Sequence, residues 1–276
     1  MPRFLMSLAA RFPLAILHAM GALLGWAIYG LSPTYRRHLR DNLAAAGYRD
    51  GATRRAAIAG AGRLVAELPA VWLRPRAELV RRVDGIEHID AARAAGKGIV
   101  FFTPHLGCFE IAGQCVADLF PITVLYRPPK HAWLQRILDE VRGRGNMRTA
   151  RAEFSGVREL LEALARKEAV GILPDQVPGV GEGKWVEFFG RSAYTMTLGV
   201  RLAARPGCAC LLAFGERLAA GAGYVIHFRP LPAAVPGESE LRRLNRALEE
   251  LIRERPGQYL WGYNRYKTPS GARQPG

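Results

Sequence analysis

His105 and Glu110 are the two residues of this chain whose types and spacing best suit acid–base chemistry. Residues 98–103 form a continuous apolar run that Pro104 stops, so His105 is predicted to stand where a buried strand gives way to a helix. The carboxyl edge of an α/β sheet commonly exposes reactive groups. An imidazole there can take a proton from a hydroxyl, while Glu110 accepts a hydrogen bond from the other ring nitrogen and fixes the tautomer.

The five-residue spacing restricts this pair, and it is weak as a signal by itself. Five residues on a regular helix separate side chains by about 140°, so the two meet only if His105 lies in the turn before the helix. Six histidines, each with a 24-in-276 chance of an acid at that spacing, give about half a match at random. His105 is the only histidine with such a match, and context must decide between a catalytic base and a structural histidine.

The charge of the chain predicts an anionic partner. Lys and Arg number 39 against 24 Asp and Glu, which gives a formal net charge of +15. Most of these cations are Arg, which binds phosphate and carboxylate groups through two parallel hydrogen bonds better than Lys does. Nucleic acid, an acidic protein and an anionic membrane all remain open, as does a merely solvated basic face. The four cysteines form no C-x-x-C pair and have no histidine at zinc-ligand spacing, which favours reduced thiols in a cytoplasmic setting.

Residues 12–31 hold no formal charge and are long enough to cross a hydrocarbon core. No small-residue cleavage site follows them, so a retained membrane anchor is favoured over a signal peptide. Trp26 and Tyr29 also permit a helix that lies in the membrane interface, and a buried core helix is the third alternative. The basic residues on either side are nearly balanced, and they leave the topology open.

The remaining pattern predicts an α/β fold. Residues 36–80 predict one or two amphipathic helices, and short apolar runs then alternate with helical stretches. Strands are predicted at 98–103, 122–126, 169–173, 208–214 and 224–228, and helices at 106–119, 133–142, 156–167, 197–204 and 239–255. We therefore expect an anchor at 1–35, and over 36–276 a single mixed-sheet domain flanked by helices, with 36–80 as its helical lead-in.

Residues 101–110, FFTPHLGCFE, resemble the H-x-x-x-x-D/E motif of glycerolipid acyltransferases, in the Glu form used by the lipid A late acyltransferase family. Further segments resemble that family in the same order. They are residues 126–128, 173–176, 186–190, 193–197, 258–261 and 264–267. With the N-terminal anchor, the resemblance covers nearly the whole chain, and several ordered matches are stronger than any one alone.

The resemblance implies an acyltransferase domain that moves a fatty acyl chain from acyl carrier protein to a hydroxyl of a lipid A precursor, at the cytoplasmic face of the bacterial inner membrane. His105 would be the general base and Glu110 its support. An alcohol is a poor nucleophile until a base removes its proton, and a thioester donor needs no metal, cofactor or protein nucleophile. The carrier is acidic and the acceptor phosphorylated, which fits the surplus of cations without nucleic acid as a partner.

Four further residues are candidates for substrate binding. Arg127, at a predicted strand end, suits a phosphate of the acceptor or of the carrier's pantetheine arm, and a salt bridge within the fold is the alternative. Arg151 falls near the position of a functional Arg in the family. Asp175 and Gln176 can orient substrate or brace their loop, and bracing is favoured.

Two segments depart from the family pattern. Pro104-His105-Leu106-Gly107 stands where many members have Asn-His-Trp-Gly, and Tyr263-Asn264-Arg265 replaces a His-Arg-Arg type. These changes bear on the acceptor more than on the chemistry. An acyltransferase for a lysophospholipid or an ornithine lipid is therefore one alternative. A basic membrane-associated scaffold or nucleic-acid-binding protein with a structural His105 is the other.

Overall fold

The computed structural model describes residues 2–129, 132–142 and 145–272. The helices are α1 (Pro2–Ala10), α2 (Leu14–Leu31), α3 (Pro33–Ala45), α4 (Gly51–Ala66), α5 (Leu68–Leu73), α6 (Arg76–Leu79), α7 (Ile86–Ala94), α8 (Phe109–Leu119), α9 (Ala132–Arg142), α10 (Phe154–Ala165), α11 (Leu198–Ala203) and α12 (Glu240–Glu254). The strands are β1 (Val80–Asp84), β2 (Gly98–Phe102), β3 (Ile122–Tyr126), β4 (Met147–Arg151), β5 (Ala169–Ile172), β6 (Gly183–Phe188), β7 (Arg191–Met196), β8 (Cys208–Arg217) and β9 (Tyr224–Pro230).

Seven strands form one mixed sheet in the order β1-β9-β8-β2-β5-β3-β4, and β6 and β7 form a separate hairpin. All neighbours in the large sheet are parallel except β8 and β9. Helices flank the sheet, and an apolar helix precedes it, so the predicted fold class is confirmed. Strand β2 is buried along its whole length, as its continuous apolar sequence requires.

Strands β2 and β5 are parallel neighbours near the middle of the sheet, with Phe102 opposite Ile172. Their carboxyl ends therefore meet at one edge. The residues that follow them, 103–105 and 173–176, come together there although about 70 positions separate them in sequence. This register positions the functional site.

Helix α8 begins at Phe109, three residues later than predicted. Residues 106–108 form an irregular turn in which Gly107 donates its amide to the Gln258 carbonyl and Cys108 donates to Gly215. Gly107 has φ near +59°, and a Cβ on it would lie 2.0 Å from the Gly215 oxygen, so a glycine is required. His105 consequently lies before the helix, where the five-residue spacing needs it.

The other predicted strands and helices are present with ends shifted by a few residues, except that four helices, α3 to α6, occupy the region 36–80 where one or two were predicted. Sequence patterns missed β1, α7, β4 and the β6–β7 hairpin. Strands β1 and β4 are the two edges of the large sheet, and each contains two arginines and one further polar residue among only two apolar ones, so neither is a continuous apolar run. Their patterns are consequently too polar to predict a strand of a parallel sheet.

Helix α2 packs along α4 through small residues. A Cβ on Gly25 would lie 2.1 Å from the Ile58 oxygen, and one on Gly62 would lie 1.9 Å from the Gly21 oxygen. Helix α4 also contacts the body of the protein, since Ile58 belongs to a core cluster with residues of the sheet and Gly60 approaches the Gly257 backbone. Among the described residues, Leu14–Leu31 and Gly51–Leu73 are the two helical stretches long and apolar enough to cross a membrane.

Candidate functional site

The imidazole of His105 is held by a carboxylate from the neighbouring strand end. Nδ1 of His105 lies 2.9 Å from Oδ1 of Asp175, and the backbone N–H of His105 donates to Oδ2 of the same residue at 2.9 Å. Asp175 is buried, whereas the His105 side chain keeps about 14% of its surface exposed. Burial by itself would raise the pKa of Asp175, but His105 and the two hydrogen bonds outweigh it and lower that pKa below its usual value.

An ionised Asp175 can only accept, so it keeps a proton on Nδ1 and leaves Nε2 of the neutral ring as an acceptor. The side-chain amide of Gln176 lies 3.1 Å from that Nε2 and supplies the matching donor. The same ring contacts Phe109 edge-to-face, with centroids 5.0 Å apart. In the neutral ring Nε2 is therefore an oriented acceptor, covered by a neutral group that a substrate hydroxyl can replace.

Glu110 does not take the place at the imidazole that the sequence predicted. Its carboxylate is bonded to the guanidinium of Arg142 and accepts from the indole N–H of Trp72 at 3.2 Å. An arginine offers several charged donors, and Asp175 already occupies the ring nitrogen that Glu110 would have used. Glu110 thus joins α8 to α9 and α5, while Asp175 accepts the hydrogen bond from His105 that Glu110 was expected to accept.

A cavity of about 490 Å³ opens beside His105. Most of its wall is apolar, including side chains from the sheet and from the helices that cover it: Phe101, Val116, Ile122, Val124, Leu138 and Met147. Glu110, Arg142, Gln176, Tyr263 and Lys267 add polar groups. Such a space suits a long apolar group whose reactive end is polar.

The structure separates the remaining predicted residues. Arg127 lines the cavity with an exposed side chain that forms no hydrogen bond or ion pair with the described residues. Gln176 also lines it, whereas Asp175 lies behind the imidazole. Arg151 is exposed at the end of β4 and is not among the described residues that line the cavity, although its neighbour Ala152 is.

Sequence reasoning missed four residues of this site: Trp72, Arg142, Tyr263 and Lys267. Arg142 is the last residue of an amphipathic helix, and its contact with Glu110 has no local signal. Tyr263 and Lys267 lie in or beside the last segment that resembles the family, which is the one signal available for them. The phenol of Tyr263 accepts from the backbone N–H of Val177 at 3.0 Å and thereby closes that segment onto the Gln176 loop.

Residues 3–268 match the family described as bacterial lipid A biosynthesis acyltransferase. The chain belongs to this family. It is 27% identical over 215 residues to the lipid A biosynthesis palmitoleoyltransferase of Escherichia coli (strain K12), an alignment that covers 75% of this chain and 69% of that protein. It is 28% identical over 215 residues to the lauroyltransferase of the same strain, with 74% and 69% covered.

A lipid A biosynthesis acyltransferase of Haemophilus influenzae is 29% identical over 200 residues, with 69% of this chain and 61% of that protein covered. Membership of the lipid A acyltransferase family confirms the resemblance predicted from the ordered motifs. The family and the apolar helix α2 are both consistent with an acyltransferase that associates with a membrane.

Proposed function

We propose that this member of the lipid A acyltransferase family transfers a fatty acyl chain from an acyl carrier protein thioester to a hydroxyl of a lipid A precursor. The observation that supports this best is the placement of His105. Its Nε2 is left as an acceptor by the bond between Nδ1 and Asp175, and it stands at an apolar cavity. We place the reaction at the cytoplasmic face of the inner membrane.

In the proposed reaction, the lipid hydroxyl replaces Gln176 at Nε2 of His105. As its oxygen attacks the thioester carbon, the hydroxyl proton moves to Nε2 and a tetrahedral oxyanion forms. Asp175 stabilises the imidazolium that results. The carbon–sulfur bond then breaks, the proton on Nε2 passes to the leaving sulfur, and an ester and a free thiol are released.

The backbone of the turn after His105 does not supply the donors for the oxyanion. The backbone N–H groups of residues 105–108 all donate within the protein: to Asp175, and to the carbonyls of Pro104, Gln258 and Gly215. Tyr263, Lys267 and Arg127 line the cavity and can donate into it. Tyr263 accepts from Val177, which leaves its own hydroxyl proton for the substrate, and preorganised donors of this kind lower the barrier most.

We propose that Glu110 supports the reaction through the wall of the cavity. Its carboxylate holds Arg142 and Trp72 from two other helices, and both Glu110 and Arg142 line the space beside the imidazole. Loss of Glu110 would leave Arg142 without its partner. The glutamate of the H-x-x-x-x-E motif would therefore shape the site in which His105 works.

Charge supports both proposed substrates. The formal net charge of +15 attracts an acidic carrier protein and a phosphorylated lipid. Arg127, exposed at the cavity and unpaired among the described residues, suits a phosphate of either one. We hold an acyltransferase for a lysophospholipid or an ornithine lipid as the second candidate, because Tyr263 departs from the family pattern and lies in the cavity wall.

The test is an assay with purified protein, an acyl carrier protein thioester and a lipid A precursor. His105→Ala should lower the rate at least about a hundredfold, the lower end for a general base. Retained activity would dismiss His105 as the base. Mass spectrometry of lipids from cells with and without the gene separates the two acceptors, because only the first changes the acyl count of lipid A.

A further inference from the structure

The outward side of α2 is apolar without interruption. On α2 it presents Ile16, Met20, Leu23, Leu24, Trp26, Ile28 and Leu31, each between 39% and 84% exposed. Helix α1 and the residues after it add Phe4, Leu5, Leu8 and Phe12. We call these residues the outer apolar face. Soluble proteins rarely leave so many large apolar side chains together in water, so this face has a partner.

The opposite side of α2 is bound to the protein along most of its length. Its buried residues recur from Leu14 through Leu17, His18 and Gly21 to Gly25, which is one stripe of a helix. The glycines of this stripe bring the α2 backbone against α4, and α4 in turn contacts the sheet domain. Helix α2 is thus a layer of the folded body rather than a separate stalk.

A buried ionic cluster fixes the second turn of α2 to the sheet. Nε2 of His18 lies 3.0 Å from the carboxylate of Glu67, which follows α4. That carboxylate receives two hydrogen bonds of 2.7 Å from Arg217 on β8, and Tyr224 on β9 donates a third at 2.9 Å. Arg217 also donates to the carbonyl of Gly107, two residues after His105.

These contacts bear on how α2 can meet a bilayer. If α2 crossed it, His18 would lie inside the hydrocarbon core, about 7 Å from the centre of the helix, and Glu67, Arg217 and the sheet would be drawn to the same depth. Charged side chains are costly there, and the polar backbone of an open sheet edge has no partners in hydrocarbon. A helix that lies along the surface avoids both costs, because it inserts only its outer apolar face.

We propose that the outer apolar face binds this enzyme to an anionic lipid surface, with α2 lying in the plane of the interface and not crossing the bilayer. Arg11 precedes α2, and Arg36, Arg37 and Arg40 follow it closely. Cations at both ends of the helix fit anionic headgroups. The proposal concerns where the protein docks, and it stands apart from the reaction proposed above.

The experiment measures the depth of α2 in vesicles of phosphatidylethanolamine with a minor fraction of phosphatidylglycerol, without substrate. Three variants of the full-length protein are made in a Trp26→Phe background. Each carries one new tryptophan on α2, from Ile16→Trp, Leu23→Trp or Leu31→Trp. Lipids brominated at successive acyl carbons report the depth of each, relative to the Trp26→Phe parent. All three positions should lie equally shallow.

A helix that crosses the bilayer gives a different profile. Leu23 would be deepest, and Ile16 and Leu31 would lie about 11 Å from it toward opposite surfaces, since an α-helix rises about 1.5 Å per residue. That profile would overturn the proposal. So would failure of the wild-type protein to bind the vesicles.

A matched pair of charge substitutions tests the face itself. Leu23 and Phe154 are 72% and 91% exposed, but Phe154 lies on α10, outside the outer apolar face. Leu23→Glu should weaken vesicle binding at least about tenfold, because a buried leucine contributes more than one factor of ten. Phe154→Glu should leave binding unchanged, and equal effects of the two substitutions would refute the assignment.

Discussion

The His105–Asp175 pair and the His18–Glu67 pair have nearly the same spacing, but of the two only His105 faces a cavity. His105 lies 2.9 Å from Asp175, and His18 lies 3.0 Å from Glu67. The second ring nitrogen of His105 meets a neutral amide beside an open space, whereas Glu67 is fully enclosed and also binds Arg217 and Tyr224. A histidine paired with a carboxylate is a candidate base only if its second ring nitrogen faces a cavity and has a partner that substrate can replace. The pairing alone does not separate a catalytic histidine from a structural one.

The carboxylate charges of the two pairs also serve different purposes. Burial by itself would raise the pKa of Glu67, but Arg217 and the hydrogen bonds from His18 and Arg217 outweigh it and lower that pKa to about 2. Glu67 is therefore a fixed negative charge inside the protein, and its hydrogen bonds hold α2, β8 and β9 together. Asp175 is also ionised, but it accepts one hydrogen bond from the His105 backbone and one from a ring that must gain and lose a proton during the proposed reaction.

The largest expected effect comes from Asp175→Asn. The amide cannot accept as a carboxylate does and does not stabilise an imidazolium, so we expect the rate of acyl transfer to fall about 10²- to 10⁴-fold. Steady-state rates with saturating donor and acceptor measure this. Circular dichroism and the urea midpoint, changed little, would confirm that the fold survives. A variant with near wild-type activity would remove the distinction between the two pairs.

Breaking the other pair should affect stability instead. Glu67→Gln leaves Arg217 buried without its counter-charge, which costs about 3–5 kcal/mol of unfolding free energy. Denaturant unfolding measures the loss, and the rate per folded molecule should stay within about tenfold of wild type. Asp175→Asn is the matched control. If Glu67→Gln abolished activity in protein that is still fully folded, the cluster would belong to the catalytic machinery.

Acid should expose the Glu67 cluster. In the unfolded chain Glu67 takes up a proton near its ordinary pKa of 4.5, but in the folded protein only near 2. Stability from this group is therefore complete above about pH 4.5 and is lost as the pH falls toward 2. Asp175, whose pKa is also lowered, acts in the same direction. Urea midpoints measured across this range should decline, and less steeply in Glu67→Gln; equal slopes would contradict the assignment.

The smallest effect is expected at Gln176. If its amide only covers Nε2 until substrate arrives, Gln176→Ala removes a competitor whose hydrogen bond is worth about 0.5–1.5 kcal/mol. The KM for the acceptor should then fall a few-fold, up to about tenfold, with kcat within about threefold. Initial rates at varied acceptor concentration measure both. A hundredfold loss of kcat would place Gln176 in the chemistry itself.

Local sequence was sufficient for the part of the site that depends on neighbouring residues. The apolar run 98–103, the stop at Pro104 and the five-residue spacing placed His105 in a turn before a helix, and the structure confirms that placement. The order of the family motifs also predicted the family correctly. These features depend on contacts within about ten residues or on the order of motifs along the chain.

The partner of His105 could not be predicted in the same way. Asp175 reaches the ring because β5, and not a strand closer in sequence, lies beside β2. Strand order depends on how helices cover the whole sheet, which periodicity does not encode. The contacts of Glu110 could not be predicted for the same reason. Trp72 and Arg142 lie on two other helices, and the sequence does not show that these helices pack against Glu110.

Arg217 connects the Glu67 cluster to the turn that follows His105 through the carbonyl of Gly107. It donates to Gly107 at 2.6 Å, while the amide of Gly107 donates to Gln258 and the carbonyl of His105 accepts from Leu260. The turn after the base is thus anchored from the interior before any ligand arrives. The energy that a substrate gains on binding need not be spent on ordering this loop, so it remains available for lowering the reaction barrier.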